Sequence, residues 1–254
     1  MPQESQQPVD FTLRADRDGE RLLIATTGEL DLTTAPELEA ALSDSAPYGA
    51  LELDLEGLTF IDSSGLRLLL AERDRAEQAG HGFRIVNASG VVARVFAISG
   101  FEPDLTPRLQ TLVGSSGAEP AAPAPAHARE FSGVYPADPP SVSRIRHELC
   151  DYAREHHVRD EVVSAAGLAA SEATTNAVVH AYADQDEPGT ITVEAGFEDD
   201  LLWVTVSDTG RGMKPRPDSP GLGLGLPLIA QMAAAFEVHE RPGGGTEVVM
   251  RFAL

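Results

Sequence analysis

Between residues 114 and 129 the chain loses the means to fold. The run GSSGAEPAAPAPAHA is built from Gly, Ser, Ala and Pro and has almost no large apolar side chain. Such a stretch cannot bury enough surface to offset the entropy of ordering it, and reads as a flexible, partly extended tether. A chain of 254 residues interrupted there must fold as two halves, each with its own core. The expected limits are a loose N-terminus over 1–8, a first domain over 9–113, the tether over 114–129 and a second domain over 130–254. A tether of 15 residues keeps two domains at an effective concentration on the order of millimolar.

The hydrophobic fraction, 42%, suffices for two ordinary cores. The formal net charge of −21 argues against nucleic acid, whose phosphates need a basic surface, and against anionic lipid. Cys150 is the only cysteine, which excludes a disulfide framework and a cysteine metal cluster. The start, MPQESQQPVD, has neither a basic opening nor an apolar run, and no apolar stretch approaches membrane-spanning length. A cytoplasmic location is the expectation.

In the first half, residues 21–27 (RLLIATT) have the make-up of a strand. Thr34, Pro36 and Glu37 form a helix-start signature, followed by Leu38, Ala41 and Leu42 on one face. Leu51, Leu53 and Leu55 alternate with Glu52, Asp54 and Glu56, a strand with one buried face that should end near Ile61. A helix is expected over 64–78, a strand over 83–86 and a helix over 91–98. The alternation of strands and helices predicts a mixed α/β domain. Its focal point is Asp62-Ser63-Ser64-Gly65, where a strand turns into a helix. Asp and Ser suit an N-cap with no further role. Alternatively Ser64 accepts a phosphoryl group, which would gain from the helix's positive end, crowd against Asp62 and act as a switch.

In the second half, residues 168–182 (LAASEATTNAVVHAY) read as a helix with Glu172, Asn176 and His180 at i, i+4 and i+8 on one face. A carboxylate can take a proton, an amide oxygen can hold a hard cation and an imidazole can sit near phosphate. Strands are expected over 190–195 and 201–207. The second delivers Asp208-Thr209-Gly210-Arg211-Gly212, where a carboxylate at a strand end could face an amine-bearing ring. Gly221, Gly223 and Gly225 then lead into a helix with Pro227 in its first turn, a place where backbone N–H groups can reach phosphate oxygens. Last, RPGGGT joins two strands. His147-Glu148-Leu149 looks like the phosphoacceptor motif of histidine kinases, but the proline after that motif and the long dimerising hairpin are missing.

Two resemblances follow. The stretches GELDLTTAPELEAAL and FIDSSGL resemble the STAS domain of anti-sigma factor antagonists, which implies phosphorylation of Ser64. The ordered boxes SEATTNAVVHAY, DTGRG, PGLGLGLPLI and GGGT resemble the GHKL (Bergerat) ATPase fold, an α/β sandwich, in its anti-sigma factor serine kinase branch. A Walker-type phosphate loop is absent. The second resemblance implies ATP and Mg2+ as ligands. It implies Asn176 as the metal ligand, Glu172 as the general base and Asp208 on the adenine amino group with Thr246 nearby. Gly210 and Gly212 would shape the base pocket, Gly221, Gly223 and Gly225 would form lid and phosphate contacts, and His180 would lie near the phosphates. A homodimer through the kinase domain, and a sigma factor or a STAS antagonist as partner, are implied in the same way. The combined expectation is a partner-switching regulator that phosphorylates a STAS serine, its own Ser64 or that of a separate antagonist. The alternative is a non-catalytic nucleotide-binding or docking scaffold.

Overall fold

The computed structural model describes residues 11–45, 47–88, 90–100, 130–181, 189–210 and 224–254. The sequence expectations for the N-terminus, the tether and Gly212, Gly221 and Gly223 lie outside the described residues, as does the side chain of His180. The chain divides into two compact units, Met1–Ser116 and Gly117–Leu254.

In the first unit the elements run β1 (Thr12–Asp18), β2 (Arg21–Leu30), α1 (Ala35–Asp44), β3 (Ala50–Ile61), α2 (Ser63–Ala79), β4 (Gly82–Val86) and α3 (Gly90–Ser99). The sheet order is β1-β2-β3-β4, with β1 antiparallel to β2 and the other neighbours parallel. Helical crossovers are what parallel neighbours require. The alternation in β3 has the expected result: Leu51, Leu53 and Leu55 are buried with Leu22, Ile24 and Ile85. Leu38, Leu42, Leu66, Leu69 and Val95 close this core from α1, α2 and α3. Each large aliphatic side chain buried there contributes about 1.5–3 kcal/mol.

β1 was not legible because TLRADRD is polar and almost wholly exposed; it is an edge strand held by its ladder to β2. Thr34 precedes α1 as expected but makes no side-chain cap. Its hydroxyl instead donates to Glu29 O (2.7 Å) and accepts from Asp31 N (3.0 Å), which ties the end of β2 to the helix start.

The second unit runs β5 (Phe131–Pro136), α4 (Pro139–Glu155), α5 (Asp160–Asn176), a π-helical turn (Ala177–Ala181), β6 (Thr190–Glu198), β7 (Leu201–Asp208), α6 (Gly225–Met232), β8 (Ala235–Glu240) and β9 (Thr246–Ala253). The strands form one antiparallel sheet in the order β5-β6-β7-β9-β8. α5 packs against α4, α6, β7 and β9, and from Val162 to Thr175 only Ser164 escapes burial. The sequence reading began this helix after Gly167. The helix instead runs through it, and glycine is required there by space, since a methyl group on Gly167 would stand 2.7 Å from Cys150 Sγ. The glycine permits close approach of α4 and α5 rather than ending a helix. The reading of one α-helix to residue 182 is also corrected: α geometry stops at Asn176 and i→i+5 bonding takes over to Ala181.

Candidate active site

The turn between β3 and α2 is built by its own residues. Asp62, fully buried in extended conformation, accepts hydrogen bonds on Oδ1 from Ser64 N (2.8 Å) and Gly65 N (3.1 Å). Two of the donors orphaned at the helix start are thereby satisfied. Gly65 is required by space: a methyl group there would lie 2.6 Å from Leu30 O and 2.9 Å from Ile61 Cγ1. Ser64 is 4% exposed, and its hydroxyl oxygen is buried without a hydrogen-bond partner among the described residues. Ser63 beside it is half-buried.

In the second unit two clusters lie along α5 and its π-helical extension. At the first, Glu172 is 1% exposed and Asn176 is the last residue of α5. The start of α6 closes on both: a methyl group on Gly225 would stand 2.9 Å from Glu172 Oε2 and 3.3 Å from Asn176 Nδ2. At the second, the carboxylate of Asp208 is held at both oxygens, Oδ1 accepting from Gly210 N (2.8 Å) and Oδ2 from Thr246 N (3.1 Å). The end of the π-helical turn meets this cluster directly, since a methyl group on Gly210 would lie 2.5 Å from Ala181 Cβ. One continuous helical segment therefore carries Glu172 and Asn176 at one point and backs the Asp208 cluster at its end.

Comparison with known proteins accounts for both units. Residues 13–111 match the family model described as Mlab, STAS domain, and residues 135–252 match the histidine kinase-like ATPase domain. Over 125 residues the chain is 31% identical to the anti-sigma F factor of Clostridium acetobutylicum, an alignment covering 44% of this chain and 86% of that one. The chain belongs to the anti-sigma factor family of histidine kinase-like ATPase domains, with a STAS domain in the same chain. The anti-sigma F factor of Clostridium beijerinckii is 32% identical over 94 residues, 33% of this chain and 65% of that one. Among solved structures, the anti-sigma factor antagonist SpoIIAA in its unphosphorylated form is 28% identical over 38% of this chain and 86% of that one, with a TM-score of 0.35.

The residues of the ATPase domain fit the groups that such a domain implies. Each oxygen of Asp208 accepts one backbone N–H and keeps a further lone pair for an amino group. Methyl groups at Gly210, Gly225 and Gly245 would each press on neighbouring atoms. Among the described residues no group of three or more His, Cys, Asp and Glu side chains could hold a metal. A single amide oxygen at Asn176 suits Mg2+, which keeps several waters and takes phosphate oxygens as its remaining ligands.

Of the expected site residues, the structure brings Glu172, Asn176 and Gly225 together, and separately Asp208, Gly210 and Thr246. His180 lies in the π-helical turn, and its side chain is outside the described residues. Two contributors were missed. Ala181 forms the wall behind Gly210, and nothing in an alanine signals that. Arg241 donates from Nη1 to Asp208 O (3.1 Å), and only its place beside the glycine run could have pointed to it.

Proposed function

We propose that the chain is a partner-switching regulator, a STAS domain over 9–113 tethered to an anti-sigma factor-type serine kinase over 130–254. The kinase transfers the γ-phosphoryl group of Mg-ATP to a STAS serine, its own Ser64 or that of a separate antagonist, and binds a sigma factor. The observation that carries this reading is the convergence of Glu172, Asn176 and Gly225 at one point of α5. A scaffold with no chemistry has no use for a buried carboxylate beside an amide oxygen at a helix N-terminus.

Each residue then has one task. The Asp208 carboxylate accepts a hydrogen bond from the adenine amino group and fixes the base. Backbone N–H groups at the start of α6 face the phosphates, where the helix dipole favours anions. Asn176 offers its side-chain oxygen to the metal. When bound, the metal would neutralise phosphate charge and hold the terminal phosphoryl group in line. Glu172 accepts the proton of the attacking serine hydroxyl as its oxygen bonds to the γ-phosphorus and ADP leaves. This division of labour suits phosphoryl transfer, which needs positioning and charge stabilisation more than covalent help.

The test is incubation of the full chain with Mg-ATP, alone and with a separate STAS protein, followed by intact mass and phosphosite mapping. The expected product carries one acid-stable phosphate on a STAS serine, absent in Glu172→Ala. Loss of the cis product in Ser64→Ala assigns it to the chain's own STAS domain. An acid-labile phosphate, or no heat of ATP uptake by a folded sample supplied with Mg2+, would overturn the proposal.

A further inference from the structure

We infer that Arg241 is a positioning residue that acts through Asp208 and sets how tightly and how selectively the adenine base is held. The inference rests on the reading of the second domain as an adenine-nucleotide site.

Asp208 is the last residue of β7, and the β7–β9 ladder already ends one residue earlier, at the pair Ser207 and Glu247. Asp208 therefore steps off the sheet on the β9 side, and something else must hold it there. The β8–β9 hairpin does so from three directions. Thr246 N–H donates to the carboxylate, and Arg241 Nη1 donates to the main-chain carbonyl of the same aspartate (3.1 Å). Gly245 comes so close that a methyl group on it would lie 2.0 Å from that same carbonyl oxygen.

Arg241 is well braced for this task. Its N–H donates to Gly245 O (3.1 Å) and its carbonyl accepts from Gly244 N (3.0 Å), so its own main chain is fixed inside the turn. The turn closes through Gly243, Gly244 and Gly245 at φ of +100°, +104° and +95°, backbone that side chains rarely adopt. The guanidinium reaches back across this turn with a rigid, planar set of donors.

A base-recognition carboxylate must be held to within about half an ångström to favour one base over another. Two backbone bonds aim the carboxylate, and Arg241 fixes the main chain from which it projects. Removing the guanidinium frees that anchor and leaves the carboxylate in place but loosely set.

Calorimetric titration of the full chain with ATP, ADP and inosine triphosphate tests this. Inosine triphosphate carries a carbonyl oxygen where adenine has its amino group. In Arg241→Met the dissociation constants for ATP and ADP are expected to rise by the same factor, on the order of tenfold, as for loss of a supporting bond to a site residue. The preference for ATP over inosine triphosphate should shrink with them. Arg241→Lys keeps one donor and should fall between, and it carries the comparison should the Met variant lose its near-ultraviolet dichroism. Unchanged affinity and preference would overturn the inference. So would a loss that grows from ADP to ATP, which would make Arg241 a phosphate contact. If the unaltered chain takes up neither nucleotide, the nucleotide reading itself fails, and that result is separate from any effect of the substitution.

Discussion

Gly225 stands against Glu172 so closely that one added methyl group would lie 2.9 Å from the carboxylate oxygen Oε2. Gly225 opens α6 with ordinary helical backbone, so alanine there brings no conformational strain. The added carbon must be accommodated by moving the carboxylate, the amide of Asn176 or the helix itself. Gly225→Ala is expected to lower phosphoryl transfer by tenfold to a hundredfold, the effect of misplacing a reacting group by up to about 1 Å. Thermal stability should change by less than about 1 kcal/mol, since alanine is the better helix former. Transfer rate and melting temperature measured on one sample check both; an unchanged rate would show that Glu172 has room to spare and is not held for chemistry.

Ser64 lies under a cap, and the cap should slow its modification. Its hydroxyl is buried and Asp62 holds the first turn of α2 closed through Ser64 N and Gly65 N. A kinase can reach that oxygen only when the turn opens, and such local openings have their own free energy. Asp62→Ala is expected to destabilise the STAS domain by about 1 kcal/mol, as for other lost caps. The same change should speed phosphorylation of Ser64, because the closed state is weakened and a repelling charge is gone. Time courses by mass spectrometry beside thermal melts decide it. A rate that falls with stability would mean that the closed turn is what the kinase recognises.

The groupings at Glu172 and at Asp208 were legible because polar side chains and glycines at fixed spacing leave a mark that local propensity cannot erase. Leu51, Leu53 and Leu55 were legible for the same kind of reason, a period of two with one face buried. What escaped is set by context. β1 and β5 carry polar, glycine or proline residues and exist because a neighbouring strand offers a ladder. Gly167 reads as a breaker until the sulfur of Cys150 is seen beside it. The π-helical turn after Asn176 has no composition of its own; Ala181 at its end abuts Gly210. The burial of Ser64 depends on packing across the unit, which no single stretch encodes.

Gly243 and Gly245 offer an internal control for the hairpin that braces Asp208. Both have φ near +100°, but a methyl group on Gly243 would meet nothing within 4 Å, whereas one on Gly245 would meet Asp208 O at 2.0 Å. Gly243→Ala should cost about 1–2 kcal/mol of stability from backbone strain and leave ATP affinity unchanged. Gly245→Ala carries the same strain and must in addition push the hairpin off Asp208. Its ATP affinity should fall by more than tenfold, beyond the effect of losing one supporting side chain. Calorimetry on the two variants checks the contrast, and equal affinities would mean that the hairpin does not set the base pocket.

A last expectation concerns acid and the β5–α4 contact. Glu148 accepts from the hydroxyl of Tyr135 (2.6 Å) and from Arg144 Nε (2.7 Å), while the Arg144 guanidinium sits 5.4 Å from the centre of the Tyr135 ring. Burial pushes the Glu148 carboxyl up, but the bonds from Arg144 and Tyr135 outweigh it and hold the group below its ordinary value of 4.5. Burial first, and then the bond to Glu148, push the Tyr135 phenol well above its usual range, so the tyrosine remains a donor at any working pH. A carboxyl with a lowered folded pKa stabilises the fold above its unfolded value and loses that contribution as pH falls through the folded one. Glu148→Gln should therefore melt below the unaltered chain at neutral pH, by a few degrees at most because the group is partly exposed and screened. The gap should hold above the unfolded value and close as pH falls through the lower, folded one. Paired melts across that range read it directly. A gap that persists in acid would show that the carboxyl works through hydrogen bonds to Tyr135 and Arg144 that an amide does not reproduce, rather than through its charge.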